Sequence, residues 1–291
     1  MSDNEKNYSA QIKIGLLILP FLAALFITGT FCDKAAAEAV FSPDNPPARL
    51  AAIIGTYPFY GGQVFFWGVL AERVVHSAKS RAAGAALCTL FILLALLTGY
   101  ISVRGDTPAV VISSLILEYP LFFAGYMAAG KTDDKLLVKR VIGLFAVLLA
   151  AYLSLELLKN FFDRPRYRTV VLGYEGVGFE PWYKPFAGAD TYIAKYGLPS
   201  SEFRSFPSGH SLFSNLTMCI LPSLAWVFPK LKDKQLHLFL GGLVFSLIIM
   251  FTRMILGAHY LSDVSAGAMI GTICAILFSV LQLRISSGSK N

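Results

Sequence analysis

Residues 252–263 of the 291-residue chain read TRMILGAHYLSD, and they join two long apolar runs at 237–257 and 260–283. Apolar runs of about 20 residues are long enough to cross a bilayer as helices. The stretch therefore predicts a tight connection between two membrane-spanning helices. His259 and Asp263 are four residues apart, so they share a face once the second helix begins. A histidine and a carboxylate are thus predicted side by side at one membrane surface.

The rest of the chain has the same apolar character. Hydrophobic residues make up 55% of it and charged residues only 15%, which is less charge than a soluble domain carries. The fold class is predicted to be all-α integral membrane, a bundle of about eight transmembrane helices. The fourth span is interrupted by Glu118, Tyr119 and Pro120 and is predicted either to cross or to form a re-entrant or kinked element. The predicted spans are 12–32, 57–76, 82–102, 109–130, 137–160, 209–228, 237–257 and 260–283.

The net charge of +7 is explained by loops between spans rather than by a nucleic-acid partner. With an even number of spans, both termini lie on one side. The loops after spans two, four and six lie on that side and are rich in Lys and Arg. Because cytoplasmic loops carry this excess, both termini are predicted to be cytoplasmic in a multi-pass plasma (inner) membrane protein. The long polar loop 161–208 is then predicted to face the periplasm or other extracytoplasmic space.

Two loops are predicted on that outer side, segment 33–56 and loop 161–208. Segment 33–56 contains Pro43, Pro46 and Pro47 and is predicted to be too interrupted for a helix. Loop 161–208 is long, and long loops are often functional. Its possible headgroup or interface contacts are Arg164, Trp182, Tyr183 and Lys184. For the aromatic stretch around Trp182 and Tyr183, an anchor at the membrane interface is an equally good interpretation.

Three fragments carry the chemistry, and the predicted topology places them on one face. Lys159 ends span five and is followed by Arg164-Pro165-Arg166, whereas Pro207-Ser208-Gly209-His210 opens span six. The third fragment is the connection quoted above, with Arg253, His259 and Asp263. A helix that starts with a Ser cap and a Gly offers backbone N–H groups to an anion.

The charged residues of these fragments suit a phosphate group. Lys159, Arg166 and Arg253 can supply fixed cations, although each alone could also be a snorkelling anchor. Asp263 is predicted to hold one ring nitrogen of His259 and leave the other as a nucleophile. His210 remains for proton transfer. A divalent ion would be repelled by this surplus of cations, so no metal and no cofactor are predicted.

The spacing of these residues resembles that of the type 2 phosphatidic acid phosphatase (PAP2) superfamily. Its first motif is Lys, six residues, then Arg-Pro. Lys159 and Arg166 keep the spacing with Tyr167 in place of Pro, whereas Arg164-Pro165 keeps the pair at another distance. The spacing favours Arg166 and leaves Arg164 as the alternative. The second motif is intact at 207–210, and the third has Thr252 in place of Ser before Arg253, His259 and Asp263.

The resemblance implies a role for each matching position. His259 would be the nucleophile, Asp263 its partner and His210 the acid and base. It also implies a catalytic core at 137–284 that includes loop 161–208, and it gives no role to the N-terminal transmembrane helices in 1–136. The phosphate would be bound by Lys159, Arg166, Ser208, Gly209 and Arg253.

The predicted function is a metal-independent membrane lipid phosphatase that acts through a phosphohistidine intermediate on a lipid phosphomonoester or diphosphate. Undecaprenyl diphosphate is the favoured substrate, by family analogy and the predicted outward site. Phosphatidylglycerol phosphate, phosphatidate and a lipid A phosphate are alternatives. A lipid phosphotransferase would use the same residues, and a transporter or anion-binding membrane protein is the alternative from another class. The predicted partners are the lipid substrate and the bilayer.

Overall fold

The regular secondary structure of the described residues is entirely helical. The structure, a computed structural model, describes residues 3–103 and 108–288. The first six α-helices are α1 (Asp3–Val40), α2 (Pro46–Ile54), α3 (Tyr57–His76), α4 (Arg81–Val103), α5 (Pro108–Ala129) and α6 (Leu137–Phe162). The next six are α7 (Tyr167–Val170), α8 (Ala189–Tyr196), α9 (Gly209–Asn215), α10 (Thr217–Ser223), α11 (Gln235–Ile255) and α12 (Leu261–Ser287). Short 3-10 turns lie at Ser200–Phe203, Leu224–Trp226 and Pro229–Lys234.

Helices occupy all eight stretches predicted as spans. Five helical segments, those containing α1, α4, α6, α11 and α12, are long and apolar enough to cross a membrane. Their outward faces leave large apolar side chains exposed, for example Leu17, Phe31 and Leu157. Exposed apolar surface of this kind suits a lipid environment. The all-helical, multi-pass class is therefore supported, and the number eight stays a prediction.

The expectation that 33–56 lacks a helix is wrong. Helix α1 continues to Val40, and α2 begins at Pro46. Asn45 caps α2, since its side chain accepts a hydrogen bond from the Ala48 N–H at 2.9 Å. Prolines are tolerated in the first turn of a helix because the N–H groups there have no intrahelical partner. Pro46 and Pro47 lie in this first turn and therefore start the helix.

Helix α1 packs antiparallel along α12 and so joins the two ends of the chain. Near one end of the pair, Ser279 donates a hydrogen bond to the side chain of Gln11 at 3.0 Å. Near the other end, a Cβ atom on Gly29 would lie 2.5 Å from the Ser262 nitrogen, so only glycine allows this approach. The predicted division between 1–136 and 137–284 stays a prediction.

Helix α9 lies in the centre of the bundle against α11 and α12. Its Leu212 side chain is completely buried. The close approach to α12 depends on Gly267, where a Cβ atom would lie 2.3 Å from the Ser208 carbonyl oxygen. The start of α9 is therefore held directly beside the start of α12.

Candidate active site

A cavity of about 580 Å³ lies at the end of the bundle where α6 ends and α9 and α12 begin. Helices α2 and α3 and the end of α4 complete its wall. The predicted site residues in this wall are Lys159, Arg166, Gly209, His210 and His259. The fold thus brings one or two members of each sequence fragment to a single cavity.

His259 lies in the connection between α11 and α12, and its ring is held by a backbone carbonyl. Its Nδ1 lies 2.8 Å from the carbonyl oxygen of Ser205. Because a carbonyl only accepts, Nδ1 carries the proton and Nε2 keeps its lone pair. Asp263 Oδ2 is 3.8 Å from Nδ1, which is beyond hydrogen-bond distance. The direct hydrogen bond expected from Asp263 is therefore replaced by one to Ser205.

The charge of His259 follows from its burial. Burial lowers the pKa of His259 to about 3, and the cations of Arg166, Arg253 and Lys159 add to this effect. The carboxylate of Asp263 acts in the opposite direction. The imidazole is therefore neutral near pH 7 and has a nitrogen lone pair free for attack.

Asp263 is fully buried in the first turn of α12, where it ties three segments together. Its Oδ2 accepts hydrogen bonds from the Ser205 hydroxyl at 2.6 Å and from the Tyr260 N–H at 2.8 Å. Its Oδ1 accepts one from Arg164 Nη1 at 2.6 Å. Asp263 therefore fixes the segment whose carbonyl holds His259, and it acts on the histidine through Ser205.

Arg164 lies in the protein interior, with 1% of its surface exposed. Its second terminal nitrogen lies 2.8 Å from Asp33 Oδ2 in α1, and its Nε donates to the Glu180 carbonyl at 2.8 Å. The guanidinium also lies 4.0 Å from the centre of the Tyr260 ring. All three of its nitrogens have protein partners, so the structure places Arg164 away from a headgroup and between two carboxylates.

Arg166 is the arginine that reaches the cavity. Its Nε donates to the Ser201 carbonyl at 2.8 Å, and its side chain is part of the cavity wall. Arg164 and Arg166 flank Pro165 but point to different surroundings, one to the interior and one to the cavity. The choice of Arg166 by its spacing from Lys159 agrees with this placement.

Two further cations are buried beside these groups. Lys159 lies in the last turn of α6 and donates to the Arg204 carbonyl at 2.7 Å. Arg253 is outside the residues that form the cavity wall, and 5% of its surface is exposed. Its Nε has no hydrogen-bond partner within the described part of the chain. A buried donor without a partner on a charged group is costly, so an anion bound nearby would stabilise this arrangement.

The start of α9 presents His210 to the cavity. Ser208 is completely buried and caps α9; its hydroxyl oxygen accepts from the Ser211 N–H at 3.3 Å and the Ser211 hydroxyl at 3.0 Å. His210 Nε2 lies 3.2 Å from the carbonyl oxygen of Ala52 in α2. In the neutral ring this contact puts the proton on Nε2 and leaves Nδ1 to accept one.

The comparison with known families decides the identity of this site. The model of the PAP2 superfamily matches residues 140–286, which is half of the chain and contains all three motifs. The chain belongs to the PAP2 superfamily. No curated protein and no solved structure matches it. Membership of PAP2 indicates a phosphatase that acts on phosphate esters, and it confirms the resemblance drawn from the motifs.

In the aromatic stretch of loop 161–208, Trp182 packs against the protein whereas Tyr183 is exposed. Trp182 donates to the Thr30 hydroxyl at 2.9 Å and stacks on Phe206, with ring centres 5.3 Å apart. It therefore fastens the loop of this PAP2 protein to α1. Tyr183 is exposed, and the exposed Lys184 lies 3.1 Å from Glu180. A contact of Tyr183 or Lys184 with a lipid headgroup stays a prediction.

Two parts of the site lie outside the PAP2 motifs. Asp33 accepts from the Ser262 N–H at 2.8 Å as well as from Arg164, so α1 contributes a buried carboxylate beneath the site. An acidic residue within a long apolar helix is a usable sequence signal for such a role. Ala52 contributes only a backbone oxygen, for which side-chain patterns give no signal.

Proposed function

We propose that this PAP2 protein is an integral-membrane lipid phosphatase that hydrolyses a lipid phosphomonoester or diphosphate through a phosphohistidine on His259. The observation that carries the proposal is the state of the His259 ring. Its Nδ1 is committed to the Ser205 carbonyl, which leaves Nε2 as the nitrogen available to a cavity lined by cations.

In the first step, the Nε2 lone pair of His259 forms a bond to phosphorus, and the bond from phosphorus to the leaving oxygen breaks. The leaving oxygen receives a proton from Nδ1 of His210, whose cationic form the negative charge of the bound phosphate stabilises. The lipid alcohol, or the lipid monophosphate in the case of a diphosphate, therefore departs protonated. Asp263 and the Ser205 carbonyl stabilise the positive imidazole ring of the phosphohistidine.

In the second step, water attacks the phosphorus of the phosphohistidine. His210, neutral after the first step, takes the proton of the water at Nδ1 while the N–P bond breaks. Inorganic phosphate then leaves, and both histidines return to their starting states. The proton that His210 loses in the first step is thus regained in the second.

The phosphate charge is balanced by protein cations in this proposal. Lys159 and Arg166 lie in the cavity wall, and Arg253 has an unused donor beside them. Fixed donors of this kind stabilise the charge of phosphoryl transfer without reorganising. Ser208 and Gly209 would complete the cradle at the start of α9. This supply of cations supports a metal-independent reaction.

The membrane setting favours a lipid whose headgroup reaches the cavity from the bilayer. With the predicted extracytoplasmic site in a plasma membrane, undecaprenyl diphosphate is the substrate that we favour, by analogy within the family. Phosphatidylglycerol phosphate, phosphatidate and a lipid A phosphate are the alternatives with the same reactive group.

A phosphate-release panel on the purified protein tests this function. We expect release from one or more of the four lipids, fastest from undecaprenyl diphosphate, and undiminished release in EDTA because no step requires a divalent ion. Loss of activity in EDTA that a divalent ion restores would contradict the metal-independent mechanism. Absence of release from every lipid would contradict the phosphatase itself, and transfer of phosphate to an added alcohol in place of water would identify a phosphotransferase.

A further inference from the structure

A second cavity, of about 320 Å³, adjoins the catalytic cavity on the side of the apolar helices. It lies between α3, α4 and α6, and we call it the α3–α4–α6 groove. Tyr60 belongs to the walls of both cavities, so the groove and the catalytic cavity adjoin at this side chain. Most of its wall is apolar, formed by residues such as Phe59, Trp67, Leu97, Ile101, Phe145 and Leu149.

One face of α6 connects the two cavities. Lys159 and Leu155 line the catalytic cavity, and Tyr152, Leu148 and Phe145 continue the same face along the groove. Spacings of three and four residues keep these side chains on one side of the helix. At 1.5 Å per residue, the line from Lys159 to Phe145 is about 21 Å long. Helix α4 repeats the transition, because Ser102 lines the catalytic cavity and the groove follows from Ile101 onward.

Two polar groups of the groove, on Trp67 and Thr98, are paired within the protein. The Trp67 ring stacks on Phe145, with ring centres 3.9 Å apart. The Trp67 indole N–H donates to the Thr98 hydroxyl at 3.1 Å, and that hydroxyl donates to the Leu94 carbonyl at 2.8 Å. Because the Trp67 and Thr98 donors are already used, this part of the groove suits an apolar occupant.

The rim of the groove opens sideways. Leu97 of α4 is 52% exposed and Leu149 of α6 is 57% exposed, so both of these groove helices present apolar side chains to the surroundings. An occupant could therefore enter from the surrounding lipid. Its polar end would meet the cations at Lys159, and its apolar end would lie against Trp67 and Phe145.

We infer that the α3–α4–α6 groove holds one long apolar chain of the lipid phosphate whose headgroup lies at His259. The inference rests on the proposed function, and it gives α3 and α4 a role in substrate selection. The distance of about 21 Å exceeds half of a hydrocarbon core about 30 Å thick. The groove therefore selects chains that reach the middle of the bilayer, either acyl or prenyl, over short ones.

The experiment adds bulk at the rim and compares long with short chains. The variants are Leu97→Trp and Leu149→Trp. Their matched controls are Leu93→Trp on α4 and Leu153→Trp on α6; both are 57% exposed, and both lie outside the groove. The substrates, each in the same detergent micelles, are palmitoyl lysophosphatidate, farnesyl phosphate and butyl phosphate.

We expect kcat/KM of both groove variants to fall at least about tenfold on a long-chain substrate, since displacing roughly two buried methylenes has that effect. Butyl phosphate turnover and both control variants should match the wild type. A response confined to the prenyl or to the acyl substrate would support the groove and identify the chain. An equal loss on butyl phosphate, or the same loss in the controls, would overturn the inference. Wild-type protein that hydrolyses none of the substrates would instead contradict the proposed function.

Discussion

Replacing His259 by alanine is expected to lower phosphate release by at least about a thousandfold, because the residual cavity can bind phosphate but cannot form a bond to it. The measurement is inorganic phosphate released by the purified variant from the best lipid of the panel. The matched control is His237→Ala, because His237 is exposed near the opposite end of α11. That variant should keep wild-type activity.

The His259→Ala protein should also keep its thermal unfolding midpoint close to that of the wild type. Retained folding with lost activity separates a chemical role from a structural one. A variant that is folded and still releases phosphate at a tenth or more of the wild-type rate would place the nucleophile elsewhere.

Replacing Arg164 by alanine is expected to destabilise the fold by about 3–5 kcal/mol, the range for breaking a buried ion pair from one side. The substitution leaves the carboxylates of Asp33 and Asp263 buried without their cation, although both lie within 2.8 Å of the guanidinium in the native protein. The measurement is the free energy of unfolding in detergent. The control is Arg49→Ala, which removes an exposed pair with Asp44 and should cost at most about 1 kcal/mol.

A double variant shows whether Arg164 acts through this charge network. Adding Asp33→Asn to Arg164→Ala removes one of the two uncompensated charges, so part of the lost stability should return. If the two substitutions instead add independently, or if Arg164→Ala costs no more than Arg49→Ala, the buried network does not hold α1 to α12 and loop 161–208.

The main side chains of the site can be predicted from the sequence, because residues with suitable chemistry also have a spacing that places them together. His259 and Asp263 are four residues apart at a helix start, and Lys159 and His210 end and begin apolar runs at the same predicted surface. The helix periodicity and the alternation of spans are enough to bring such residues together. The choice of Arg166 over Arg164 also follows from spacing. Its structural reason is that Arg164 is buried between two carboxylates, and this depends on the packing of α1, which the sequence does not reveal.

The supporting contacts could not be predicted because they are made by backbone atoms or between distant segments. Ser205 and Ala52 hold the two histidines through carbonyl oxygens, which every residue type possesses. Asp33 meets Ser262 from the other end of the chain, and no local pattern fixes that register. The helix at Pro46 differs from the prediction because a proline breaks a helix in its interior but is tolerated in its first turn.

The most direct test of the account is to trap the covalent intermediate during turnover of a labelled lipid phosphate and to identify the modified atom by tandem mass spectrometry after rapid alkaline quench. We predict a single phosphorylated residue, His259, with phosphorus on Nε2 because Nδ1 is held by the Ser205 carbonyl. Phosphate on His210, phosphate on Nδ1 of His259, or rapid turnover with no phosphorylated histidine would contradict it.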